Sequence, residues 1–107
     1  MEPREKLLHG APAVAIVEYQ PGAVVSHTVA KSPNGSVTVF AFDEGQELSE
    51  HTAPHDATIL ILDGEAEIRV SGVAHPLKAG DILLMPADAP HAVKATRRFK
   101  MLLAMLR

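Results

Sequence analysis

Histidine carries the most concentrated chemical potential in this chain. Three of its six histidines fall in two short stretches. His51 and His55 lie in GQELSEHTAPHDATILILDG (45–64), and His91 closes GDILLMPADAPH (80–91). Each stretch begins at a glycine and crosses an apolar, strand-like run. Imidazoles that converge can hold a metal, move a proton or hydrogen-bond a ligand. A divalent transition metal (Zn, Ni, Fe or Mn) generally takes about three or four protein ligands. His51, His55 and His91 are therefore the candidate metal set. His55 is four residues beyond His51, on the same face of a regular strand. Pro54 interrupts that regularity and leaves the orientation of His55 open. The alternative is that His51 and His91 are inward-facing, hydrogen-bonded polar groups in a pocket without metal. His9, His27 and His75 lie in the N-terminal segment, a strand and a short edge element, where solvent or structural roles are expected.

The elements that would position these histidines read as strands. Residues 2–8 have the composition of one or two helical turns. APAVAIVEYQPGAVVSHTVAKSPNGSVTVFAF follows, rich in Val and cut at Pro21-Gly22 and at Ser32–Gly35, in strand–turn–strand–turn–strand order. Gln46–His51 is a polar approach strand, and Ala57–Leu62 is an apolar run. Asp63-Gly64 reads as a tight hairpin turn before the strictly alternating Glu65–Val70. Val73–Leu77, Ile82–Met85, His91–Ala95 and Phe99–Leu106 complete the set. No segment keeps a helical period. Short strands at turn spacings of about 8–12 residues predict an all-β sandwich or small barrel.

Composition bounds the function. At 107 residues the chain reads as one domain, 1–107, with a barrel core over roughly 36–106 and a peripheral segment 1–10. There are no cysteines, hence no disulfide or thiolate chemistry. A net charge of −3 argues against a nucleic-acid footprint. Lys94, Arg97, Arg98 and Lys100 cluster, and read as a solvated turn. No apolar run approaches the ~20 residues of a membrane span, and the first ten residues have no signal-type apolar core. A cytoplasmic protein, with neither membrane nor nucleic acid as partner, is the expectation.

The two glycine-led stretches resemble the motifs of the cupin superfamily, the RmlC-like jelly-roll barrels. His51 follows Gly45 after five residues, and Gly64 stands at the closing glycine of the first motif. Gly80, Pro86 and His91 hold the spacing of the second. The resemblance implies a double-stranded β-helix and is closest to the small single-domain cupins, many without an assigned reaction. It also implies a metal held by two histidines and a carboxylate from the first motif and one histidine from the second. Here the second histidine falls on Ala53 and the carboxylate on Ala57. Asp88 and Ala95 replace the second motif's middle glycine and its asparagine.

The reading that results is a small cupin whose barrel pocket binds a small molecule. The pocket is lined by His51, His55, His91, Ile59, Ile61, Ile68, Met85 and Val93, with Phe40 or Phe42 beside them. Small side chains at Ala53 and Ala57 leave it roomy. The alternative is a metal-dependent enzyme of dioxygenase or isomerase type, using His51, His55 and His91. Last comes a metal-free isomerase with a histidine base, for which no acid partner is evident. Apolar residues on both phases of 37–42, of ILIL and of FKMLLAML predict a covered outer face, by a second subunit in a homodimer or by the N-terminal segment.

Overall fold

In chain order the strands are β1 (Val24–Ser32), β2 (Gly35–Phe42), β3 (Glu47–His51), β4 (Asp56–Val70), β5 (Val73–Lys78), β6 (Ile82–Met85), β7 (His91–Lys94) and β8 (Phe99–Leu106). The computed structural model describes residues 3–106. Met1, Glu2 and Arg107, part of the span and helix read from sequence, lie outside the described residues. Every pairing is antiparallel. The result is an all-β jelly-roll barrel made from one curled sheet.

Strand β4 is the spine. Its first half pairs with β8 on one side and β6 on the other. Its second half pairs with β5 and β7. One wall of the barrel therefore runs β1-β2-β8-β4-β6 and the other β5-β4-β7-β3. The hairpin expected at Asp63-Gly64 is absent, because β4 runs straight through it. The register against β8 instead slips between Ile61 and Asp63, a bulge. The burial phase changes there: Ala57, Ile59 and Ile61 are buried before the slip, Ala66 and Ile68 after it. An extra residue bends a strand and increases its twist, which carries β4 from one wall to the other. Gly64 has φ +76°, and a Cβ there would meet the Arg98 carbonyl and the Phe99 Cα. Only glycine combines that backbone with that approach. The same dipeptide serves as a turn signal and as a bulge signal, and the sequence alone does not separate the two.

The N-terminal segment is the second difference. Ala11–Gln20 is not a strand. It follows the helix α1 (Pro3–His9), contains one 3-10 turn (Ala13–Ala15), and lies across the outside of the first wall. Ile16 and Val17 are buried there against Val39 and Ala41, with Leu7, Leu62 and Leu102 packed around them. This strap covers much of the outer face, the second of the two covers expected from sequence. Its anchor is Lys100, expected in a solvated turn but only 6% exposed. Lys100 points outward from β8, donates to the Val14 carbonyl at 2.6 Å and lies 4.8 Å from the centre of the Tyr19 ring. Arg98 lies 4.7 Å from that ring, and the Tyr19 hydroxyl donates to Asp63 at 2.6 Å.

Burial, followed by the hydrogen bond to Asp63 and the charge of Asp63, holds the Tyr19 phenol well above its ordinary value; Arg98 opposes the shift. A raised folded-state value means the unfolded chain releases this proton first. The stability it reflects is complete below pH about 10 and is lost as pH rises through and beyond that point. Tyr19 is the chain's single tyrosine and there is no tryptophan, so alkaline absorbance titration reads it alone. The expected midpoint in the folded protein is well above 10, and Tyr19→Phe should flatten the alkaline fall in melting temperature. A midpoint at the ordinary value would show that the strap is not docked as described. No helix among the described residues is long and apolar enough to cross a membrane.

Candidate functional site

His51 and His91 are directly opposed across β3 and β7. Val93 and His91 face inward on β7 by simple alternation. On β3, Leu48 is opposite Val93, so regular pairing would put residue 50 opposite His91. The register shifts between Leu48 and His51, so three steps on β3 match two on β7. This second bulge puts His51, not Glu50, in phase with Leu48. The two rings meet edge to face with centroids 4.2 Å apart.

Both rings are fixed by backbone carbonyls. His51 Nδ1 lies 2.8 Å from the Ser49 carbonyl and His91 Nδ1 3.2 Å from the Ala89 carbonyl. A carbonyl oxygen only accepts, so each Nδ1 carries the hydrogen. His91 is 8% exposed, whereas His51 stands at the open rim. The rim is built by two tied loops. Asp88 N donates to the Ala53 carbonyl and Ala87 N to an Asp56 carboxylate oxygen, each at 2.8 Å. Asp88 has φ +65°, a left-handed conformation that Asp tolerates better than most residues, which explains a glycine at this place in the motif.

Beneath the rings is a cavity of about 200 Å³. His51, His91, Ile59, Met85 and Val93 line it, together with Ala53 and Ala57. Phe40, Leu48, Met101, Leu103 and Met105 complete the wall. No Lys, Arg, Asp or Glu is among them. A larger concavity of about 360 Å³ beside Glu65, Glu67, Lys78 and Asp81 is a charged, open surface groove.

Three residues assigned to the pocket from sequence are elsewhere. Ile61 and Ile68 are fully buried core and do not line the cavity. That end of the barrel is filled by Phe42 and Phe99, both fully buried, with rings stacked 4.6 Å apart. His55 does not line it either. The pairing of β3 ends at His51, and beyond Pro54 His55 falls half-buried in the bend before β4 while Ala53 takes the wall position. Among the described residues, no three of His, Cys, Asp and Glu are grouped to hold a metal ion. The family's metal centre is thus not matched by the residues present: two imidazoles remain, with Ala53 and Ala57 where further ligands would stand. Leu48 escaped the sequence reading because only the bulge turns it into phase with His51. Met101, Leu103 and Met105 escaped because β8 is apolar on both phases. Their shared period with the buried Phe99 was the available signal.

Comparison with known proteins agrees with this architecture. The family model described as "Cupin domain" matches residues 38–105. The chain belongs to the cupin family. Among solved structures, the cupin superposes on a conserved protein of unknown function from Streptococcus pyogenes with a TM-score of 0.88. That pair is 33% identical, over 92% of this chain and 86% of the other. A "Cupin 2 conserved barrel domain protein" from Leptotrichia buccalis is 41% identical with a TM-score of 0.86, over 88% of this chain and 46% of that one. The protein SchB of Streptomyces halstedii is 31% identical over 75 residues, 69% of this chain. The cupin described here spans about half the length of SchB, 54%.

Proposed function

We propose that this cupin binds a small, mainly apolar molecule inside its barrel, with His51 and His91 as the polar contacts at the open end. The observation that carries the reading is the cavity of about 200 Å³, walled by apolar side chains with two imidazoles at one end. A concave apolar site with a few convergent polar groups is the usual form of a small-molecule site. Saturable, one-to-one binding of an apolar probe such as ethylbenzene, followed by calorimetry, tests it; no saturable binding up to solubility would sink it.

No catalytic step is assigned to the pocket. A metal-dependent reaction of dioxygenase or isomerase type needs a centre that His51 and His91 do not complete. A histidine base needs an acid across the pocket, and no carboxylate or tyrosine lines it. Protein purified without a nickel column is expected to carry less than about a tenth of an equivalent of Zn, Ni, Fe or Mn, with no gain in melting temperature on adding metal. A stoichiometric metal that raises the melting temperature, and is lost in His91→Ala, would restore the metal-centre reading.

The proposal also makes the cupin a homodimer. The strap leaves one side of the outer face bare, where Ile82, Leu84 and Leu106 are 67%, 58% and 67% exposed. Register puts them on the same outward side as Thr58, Leu60 and Ala104. A flat apolar face around an edge strand suits an isologous pair, which would also cover β6. Light scattering at micromolar concentration should give twice 11.4 kDa, and Leu84→Lys should give 11.4 kDa. A wild-type monomer would remove the dimer from the proposal.

A further inference from the structure

We infer that the pocket selects a neutral aromatic alcohol, a phenol-type molecule of one ring and a short substituent, whose hydroxyl donates to His51 or His91. The inference rests on the binding reading above and adds the ligand class.

The tautomers set the polarity of the site. With Nδ1 of each ring donating to the Ser49 or Ala89 carbonyl, the second nitrogen of the neutral imidazole is a lone pair. The polar end of the pocket therefore offers two acceptors. Among the described residues His91 makes no other side-chain hydrogen bond, although it is only 8% exposed. That nitrogen is not sealed off: among the described residues no fully buried side-chain nitrogen or oxygen lacks a partner, so it opens to the pocket, where a donor on the ligand bonds it. The rest of the wall offers no counterpart: it has no Lys, Arg, Ser, Thr, Asn, Gln or Tyr. A carboxylate or phosphate would meet two lone pairs and no fixed cation. A hydroxyl is the polar group that fits.

The rest of the ligand follows from the wall. Met85, Met101 and Met105 line the cavity with Phe40. Thioether sulfur makes favourable contacts with ring edges, and methionine adapts to the shape of what it surrounds. An apolar cavity of about 150 Å³ accepts benzene. The cavity of about 200 Å³ here takes one ring with a short substituent.

Calorimetric titration with 4-ethylphenol, ethylbenzene and 4-ethylbenzoate at neutral pH tests this. The expected order is 4-ethylphenol about tenfold tighter than ethylbenzene, the value of one good hydrogen bond, with 4-ethylbenzoate weakest. In the double variant His51→Leu, His91→Leu the preference for the hydroxyl should vanish while ethylbenzene still binds. If that variant does not fold, the three wild-type titrations decide. Equal binding of ethylbenzene and 4-ethylphenol, or tightest binding of 4-ethylbenzoate, overturns the inference and leaves the apolar pocket standing. Failure of all three to bind overturns both.

Discussion

Replacing Gly64 by alanine should destabilise the cupin by about 3 kcal/mol. Two causes add. The left-handed backbone disfavours a Cβ by about 1–2 kcal/mol. The new methyl also meets the Arg98 carbonyl and the Phe99 Cα on β8, and forcing backbone apart in a packed region costs about 1–3 kcal/mol. For a domain of this size the melting temperature should fall by roughly 10–25 °C. Gly72 is the control. It has φ +80°, and a Cβ added there would have nothing within 4 Å, so Gly72→Ala should cost only about 1 kcal/mol. Urea denaturation of the two variants side by side isolates the collision. Equal losses would mean that the bulge moves away from β8 and does not hold the bend between the walls.

Ala57→Leu should abolish binding of ethylbenzene and 4-ethylphenol, a loss of at least about a hundredfold, while the fold survives. Ala57 is 3% exposed, and Met85 and Met105 stand opposite it on the two neighbouring strands. A larger side chain here has only the cavity to enter. Filling a void returns the dispersion contacts its walls lack, whereas crowding costs strain, so the net change in stability should stay within about 1.5 kcal/mol. The checks are calorimetric titration for binding and a thermal melt for folding. Unchanged affinity in a folded Ala57→Leu protein would place the ligand elsewhere on the molecule.

The parts legible in the sequence were those that depend on period and punctuation. Seven strands were read within a few residues, because alternation and turn residues mark them directly. That His51 and His91 belong to one site was implied by the resemblance of the two glycine-led stretches to the cupin motifs. What failed did so for one physical reason. A bulge is a single extra residue with no composition of its own, and two bulges decide this molecule. One turned an expected hairpin into the bend at Gly64. The other put Leu48 and His51 in phase. The strap was misread differently: AVAIV has strand composition, but its partners, Val39, Ala41, Leu62 and Leu102, are side chains on a sheet face and not another strand. His55 was indeterminate because proline removes the period on which any statement about facing depends.

Strand β8 lies between β2 and the first half of β4, the centre of its wall, yet it follows both in the chain. During synthesis that wall cannot be assembled until its middle has been made. Until then β2 and β4 each present an unpaired edge. Closing the gap joins residues 35–42 to 99–106, a pairing between distant parts of the chain of the kind that folds in milliseconds to seconds. A nascent chain stopped before Phe99 should thus be sensitive to protease along most of its length, and protection should arrive in one step when β8 is released.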